Sequence, residues 1–216
     1  MTELSAIPKD ISGQINCLKR SIEILHAYWK LFADLFASGN DKIDLLNQSA
    51  STFFVMVSFA FRERVVLGIA RLLDPPRTIK QDNLVLERII NDLRPIAEPA
   101  LVSKLERHLN ALRKDRSIIE YRHKRIAHSD LKVSLKVTPA PSVTTKDIDH
   151  ALNILSHFMN LIHVQYENKE PHGYRHIVIP NGVLDLEAHL MLGVAAIKYK
   201  WRPQLTSWTR SEPCDT

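Results

Sequence analysis

The sequence predicts an all-α fold, a helical bundle of four or five main helices with at most a small two-stranded β-ribbon. Three observations point there. Long stretches carry apolar residues at steps of three and four, the period of one helix face. Glycine numbers only 6 in 216 residues, too few for the turns of an all-β chain. One short stretch, Leu131 to Val137, shows the strict alternation of a strand.

Ile11, Ile15, Leu18, Ile22, Leu25, Trp29, Phe32 and Phe36 define one face of a first helix, about Ile11 to Phe36, which Gly39 and Asn40 stop. A second helix, about Asp41 to Leu73, runs through Leu46, Phe53, Val57, Phe61, Val65, Ile69 and Leu72. It ends at "DPP", because two prolines cannot continue the hydrogen-bond ladder. "RTIKQDN" reads as a loop, and a short helix fits Leu84 to Leu93. Pro95 and Pro99 bracket the entry to a basic helix, Leu101 to Ala127. "LKVSLKV" follows as a strand, with "YRHIVIP" as its partner. Thr144 and Asp147 approximate a capping box that opens a helix from Lys146 to Tyr166, with the stripe Ile148, Leu152, Leu155, Met159, Ile162 and Tyr166. The stretch 181–202 supplies a last helix, and 203–216 reads as a frayed tail. Residues 1–170 form the helical domain, and 171–216 form a C-terminal extension whose one helix packs on it.

The longest apolar run, "FFVMVSFAF", is about half of what a bilayer requires, and the N-terminal stretch has no apolar core of signal-peptide length. A soluble protein of the cytoplasm, with no membrane partner, is expected. Cys17 and Cys214 offer neither a disulfide framework nor a zinc spacing.

The net charge is +5, and its distribution says more than its size. Between Lys104 and Arg125 stand eight basic residues against three acidic ones, an excess equal to the net charge of the whole chain. Such a stripe is the electrostatic footprint of an anionic partner, or merely a solvated face. Along this helix Leu105, Leu112, Ile119 and Ile126 recur every seven residues. Arg122 lies three residues after Ile119 and four before Ile126, so it points near the buried seam. An unpaired guanidinium there is costly, and Arg122 needs an acidic partner, a cleft or an anion. His128 follows six residues on, about 9 Å along an ideal helix and about 120° around it. One helix alone does not bring the two together tightly; they converge if the Arg side chain reaches along the helix, if the last turn unwinds at "HSD", or if a second copy packs across a twofold axis. Near a helix C-terminus, His128 also reads as a capping residue.

"RHKRIAH", Arg122 to His128, resembles the signature of the HEPN superfamily: Arg, a polar residue, a four-residue gap and His. Together with "IARLLDPPRTIKQDNLVLERII", the stretch "YRHKRIAHSD" is similar to the AbiU-type branch associated with abortive phage infection, over about Ile15 to Tyr166. The resemblance implies a small helical, metal-independent endoribonuclease of prokaryotic defence or toxin–antitoxin systems, needing no cofactor. Two signatures meet at a homodimer interface, and the ribose 2′-hydroxyl attacks the adjacent phosphate. By position His128 carries the proton, Arg122 grips the scissile phosphate, and His123 orients it or carries a second proton. Lys124 and Arg125, with Arg116 and Lys114 of the stripe, hold flanking phosphates. RNA, a second copy of the chain and, where the toxin class applies, an antitoxin protein are the implied partners. Some toxins of this superfamily carry a modifiable tyrosine two residues after the histidine; here that position is Asp130. Other members only bind nucleotides or partners, so a noncatalytic module stays open.

A carboxylate-bridged di-iron bundle is the contrasting reading, because Glu23 with His26 and Glu120 with His123 form two Glu-x-x-His pairs. Further glutamates are poorly supplied, and neighbouring cations oppose a divalent metal. His172 and His176 have metal-like spacing but no evident third ligand, and read as loop and strand-edge residues.

Overall fold

The computed structural model describes residues 7–127, 133, 135–136, 138–139, 141–166, 170–180 and 182–198. Its fold is all-α. Helix α1 runs Lys9–Phe36 and α2 Asn40–Leu72. Gly39 between them has φ +118° and ψ 163°, a region open essentially to glycine alone, which lets a short link reverse the chain. The helices pack antiparallel, with Tyr28 edge-on to Phe61 at 5.7 Å and Leu25 lying against Gly68. The stripe of α1 is buried from Ile11 to Phe32, as its spacing requires.

Helix α2 departs from expectation in its first half. Phe53, expected inside, is 60% exposed, and Phe54 is buried instead. Two causes combine. Successive steps of four drift by about 40° each on a 3.6-residue turn, so Phe53 stands about 160° around from Ile69 and cannot share its face. Ala50 is also non-helical, with φ −164° and ψ 72°, and the kink resets the phase. Val55, Met56 and Phe59 remain exposed beside Phe53.

After α2 the chain makes a tight hairpin, β1 (Arg77–Thr78) antiparallel to β2 (Gln81–Asp82), with Arg77 opposite Asp82. This is the small ribbon, in the stretch expected to be a loop. The ribbon expected from "LKVSLKV" and "YRHIVIP" does not form among the described residues. Val133 is helical, Leu135 and Lys136 make a turn, and Leu135 stays exposed; Leu131, Lys132, Ser134 and Val137 lie outside the described residues. Tyr174–His176 is a 3₁₀ turn that buries Tyr174 and sets its hydroxyl 3.2 Å from His163 Nε2. Tyr174 thus serves packing on the bundle rather than strand pairing, while Val178 is left exposed.

Helix α3 (Leu86–Leu93) buries Leu86, Ile89, Ile90 and Leu93, and α4 (Pro99–Lys114) follows with proline in its first turn, where a missing N–H does no harm. α5 (Ser117–Tyr121) and a π-helical turn (Arg122–Ala127) come next. The single basic helix expected over Leu101 to Ala127 is therefore three pieces. Helix α6 (Thr145–Tyr166) opens on a complete capping box: Thr144 N–H donates to Asp147 Oδ2 at 2.7 Å, and Asp147 N–H to Thr144 Oγ1 at 3.2 Å. Its expected stripe is buried from Ile148 to Ile162. Helix α7 (Val183–Lys198) leans on the start of α2 through Val183 and a Lys42–Glu187 ion pair at 3.0 Å. No helix among the described residues is long and apolar enough to cross a membrane.

Candidate functional site

Asp115 creates the break in the basic helix. Its backbone leaves the helix at ψ 97°, and its Oδ1 accepts the N–H of Ser117 at 3.0 Å, which starts α5 anew. Five residues after Ser117 the ladder changes again. From Arg122 the bonds skip five residues instead of four, a wide turn of the kind that recurs at functional sites. The phase calculated for an ideal helix between Arg122 and His128 therefore does not apply. His128 and Asp130 lie outside the described residues.

Arg122 is half-buried, and its required partner is Asp74. Nη1 donates to Oδ1 at 2.7 Å and Nη2 to Oδ2 at 3.4 Å, a bidentate charge-assisted pair. Its Nε is buried and has no hydrogen-bond partner among the described residues. Asp74 stands two residues past the end of α2, with its N–H on the carbonyl of Arg71 at 3.3 Å, and Pro75 after it disfavours a further helical turn. Of the three answers that Arg122 allowed, the acidic neighbour is the one realised in the isolated chain.

Three of the other residues of the turn face outward. His123, Lys124 and Arg125 are exposed; Arg125 lies over the Tyr121 ring at 5.6 Å, while Lys124 makes no ion pair among the described residues. Ile119, Tyr121 and Ile126 pack partly against the core and anchor the turn beneath them. Arg116 is exposed with Glu120 at 3.6 Å, and Lys114 is exposed at the end of α4. Elsewhere on the stripe Arg113 is engaged by Glu87 at 2.5 Å. The turn thus presents one anchored guanidinium beside several solvated cations.

Of the two Glu-x-x-His pairs, Glu23, His26 and Glu120 turn to protein partners, while His123 is exposed. His26 Nε2 lies 2.8 Å from Ser156 Oγ, and Glu23 lies 3.5 Å from His172 Nε2 and 3.9 Å from Lys19. Burial pushes the His26 pKa down to about 4, opposed by a backbone hydrogen bond at Leu152 and assisted by electrostatic repulsion from the neighbouring Arg175 and His172 side chains. His172 sits in a loop edge-on to Tyr174, and His176 ends the 3₁₀ turn rather than edging a strand. Among the described residues no group of three or more His, Cys, Asp or Glu is arranged to hold a metal ion.

Asp74 carried no assigned role in the sequence, although a signal was there. A carboxylate at a helix C-terminus faces the negative end of the dipole, so an acid placed there implies a specific cation nearby. The pair also joins the two stretches that carry the sequence resemblance, "ARLLDP" and "RHKRIAH". Comparison with curated proteins and with solved structures yields no match. The family model HEPN_AbiU2, described as AbiU2, matches residues 8–179, which takes in α1 to α6, Asp74 and the whole "RHKRIAH" stretch, and the chain belongs to this HEPN family of abortive-infection type.

Proposed function

We propose that this chain is a metal-independent endoribonuclease of a prokaryotic defence or toxin–antitoxin system, acting in the cytoplasm as a homodimer. The observation that carries this reading is that the family match spans Arg122 and His128 while Arg122 stands, half-exposed, at the head of a cationic π turn. In the proposed reaction the ribose 2′-hydroxyl loses its proton and attacks the adjacent phosphorus. The bond to the 5′-oxygen breaks, and that oxygen takes up a proton. His128 is the proton carrier, and Arg122 offsets the charge that grows on the phosphate oxygens. His123 orients the phosphate. Lys124 and Arg125, with Arg116 and Lys114 farther back, bind flanking phosphates without reading sequence. No cofactor is needed for these steps, and an antitoxin protein is the expected partner where the toxin class applies.

The second reading is a noncatalytic nucleotide-binding, RNA-binding or protein-interaction module, and the Arg122–Asp74 pair favours it to the extent that Arg122 is already satisfied. Purified protein incubated with mixed RNA in EDTA, wild type beside His128→Ala, separates the two. Cleavage by wild type alone is expected. RNA bound but uncut by both proteins would leave the noncatalytic module.

A further inference from the structure

We infer that Asp74 is a positioning residue for Arg122, fixing the guanidinium in the orientation in which it meets the scissile phosphate; this rests on the nuclease reading above. The carboxylate stands on a rigid support. Pro75 and Pro76 restrict the chain after it, and Asn83 ties them down, its Nδ2 donating to the Pro75 carbonyl at 2.9 Å and its N–H to the Pro76 carbonyl at 2.8 Å. On the other side, the backbone N–H of Arg122 bonds to the carbonyls of Ile118 and Ile119, at the junction where α5 becomes the π turn. Both ends of the pair are therefore set by backbone.

The geometry also says which hydrogens remain for a ligand. A guanidinium has five N–H bonds in a plane. Asp74 takes one on each Nη, and Nε is buried. One outward hydrogen on each Nη is left, on a side chain about 24% exposed. These two point to opposite edges of the guanidinium plane, so a phosphate approaching from solvent is met by one of them, with the plane already oriented and the ordering of a long flexible side chain complete before RNA arrives. The electrostatic effect runs the other way. A carboxylate at 2.7 Å weakens the attraction of Arg122 for an anion, so binding strength falls to the exposed cations of the turn. Removing the carboxylate then has opposite effects on binding and on turnover.

The test compares wild type, Asp74→Ala, Asp74→Asn, Arg122→Ala and the Asp74→Ala/Arg122→Ala double variant for RNA affinity, kcat, KM and unfolding midpoint. Asn keeps the shape and one acceptor oxygen, and covers the case in which Ala does not fold. Both Asp74 variants are expected to lower kcat about 10-fold or more, as misplacement of a catalytic group does, with RNA binding equal or tighter. In the Arg122→Ala background the loss of Asp74 is expected to add nothing, since the two act as one unit. A rise in kcat would mean that Asp74 blocks the site, and an equal loss in the Arg122→Ala background would make its role merely structural; either overturns the inference, as does unchanged kcat. A wild type that cuts no RNA overturns the nuclease reading and this inference with it.

Discussion

Arg122 and His128 differ in what their replacement removes. Arg122→Lys keeps the charge and loses the planar fork that Asp74 holds at both Nη atoms, so on the proposed mechanism single-turnover RNA cleavage should fall strongly although the change is conservative in charge. His128→Ala should lower the rate by roughly 10²- to 10⁴-fold while filter binding of RNA persists, because Lys124 and Arg125 keep their phosphate contacts. Retained cleavage in either variant would remove that residue from the mechanism. His26 supplies an independent residue-scale prediction. Its folded pKa of about 4 lies below the unfolded value of 6.5, so an unfolded chain takes up the proton first as the solution is acidified. Stability is therefore complete above pH 6.5 and declines as the pH falls towards 4, by roughly 3 kcal/mol in all and at most about 1.4 kcal/mol per pH unit. Denaturant unfolding between pH 7 and pH 4.5 should show a steeper decline for wild type than for His26→Leu; equal slopes would mean that His26 is not the group responsible. That Arg122 needed a partner was readable from its place between Ile119 and Ile126. Which partner was not, because Asp74 is 48 residues away and only the packing of α2 against the π turn brings it close.

Among the elements, those with strictly alternating steps of three and four were readable to within a residue or two: α1 starts at Lys9 rather than Ile11, and α6 at Thr145 rather than Lys146. Repeated steps of four in α2 conceal drift around the helix, which is why Phe53 was misplaced and Phe54 missed. The sevenfold spacing of Leu105, Leu112, Ile119 and Ile126 continues across a break that Asp115 makes locally, so spacing alone could not show it. Past that break Ile118 is 3% exposed and Ile119 only half-buried, the mark of a helix restarted out of phase. The close approach of α1 and α2 rests on a position without a side chain. A Cβ at Gly68 would collide with the Leu25 side chain, which is itself buried and poorly free to move. Gly68→Val should therefore destabilise the fold by about 1–3 kcal/mol in denaturant titration, overpacking outweighing the better helix propensity. A variant as stable as wild type would show that the helices can separate at little cost.

At the scale of the whole molecule, the proposed site needs two copies. One chain offers one Arg122 and one His128, and the proposed mechanism calls for two such pairs in a shared cleft, so a twofold dimer with the Arg122 turns near each other is expected. Sedimentation should show a dimer at micromolar concentration, and a monomer with full cleavage activity would contradict it. The apolar side chains left exposed on α2, Phe53, Met56 and Phe59, are surface that association could cover. On the proposed reading, RNA binding through the charge stripe should be salt-dependent and tolerant of sequence, but binding alone does not separate a nuclease from a docking module. The most direct measurement is the chemistry of the product ends after incubation of end-labelled RNA, and of its DNA counterpart, in EDTA. The account predicts RNA fragments ending in a 2′,3′-cyclic phosphate and beginning with a 5′-hydroxyl, and intact DNA, which lacks the attacking hydroxyl. Fragments with 3′-hydroxyl ends, or cleavage abolished by EDTA and restored by manganese, would contradict it.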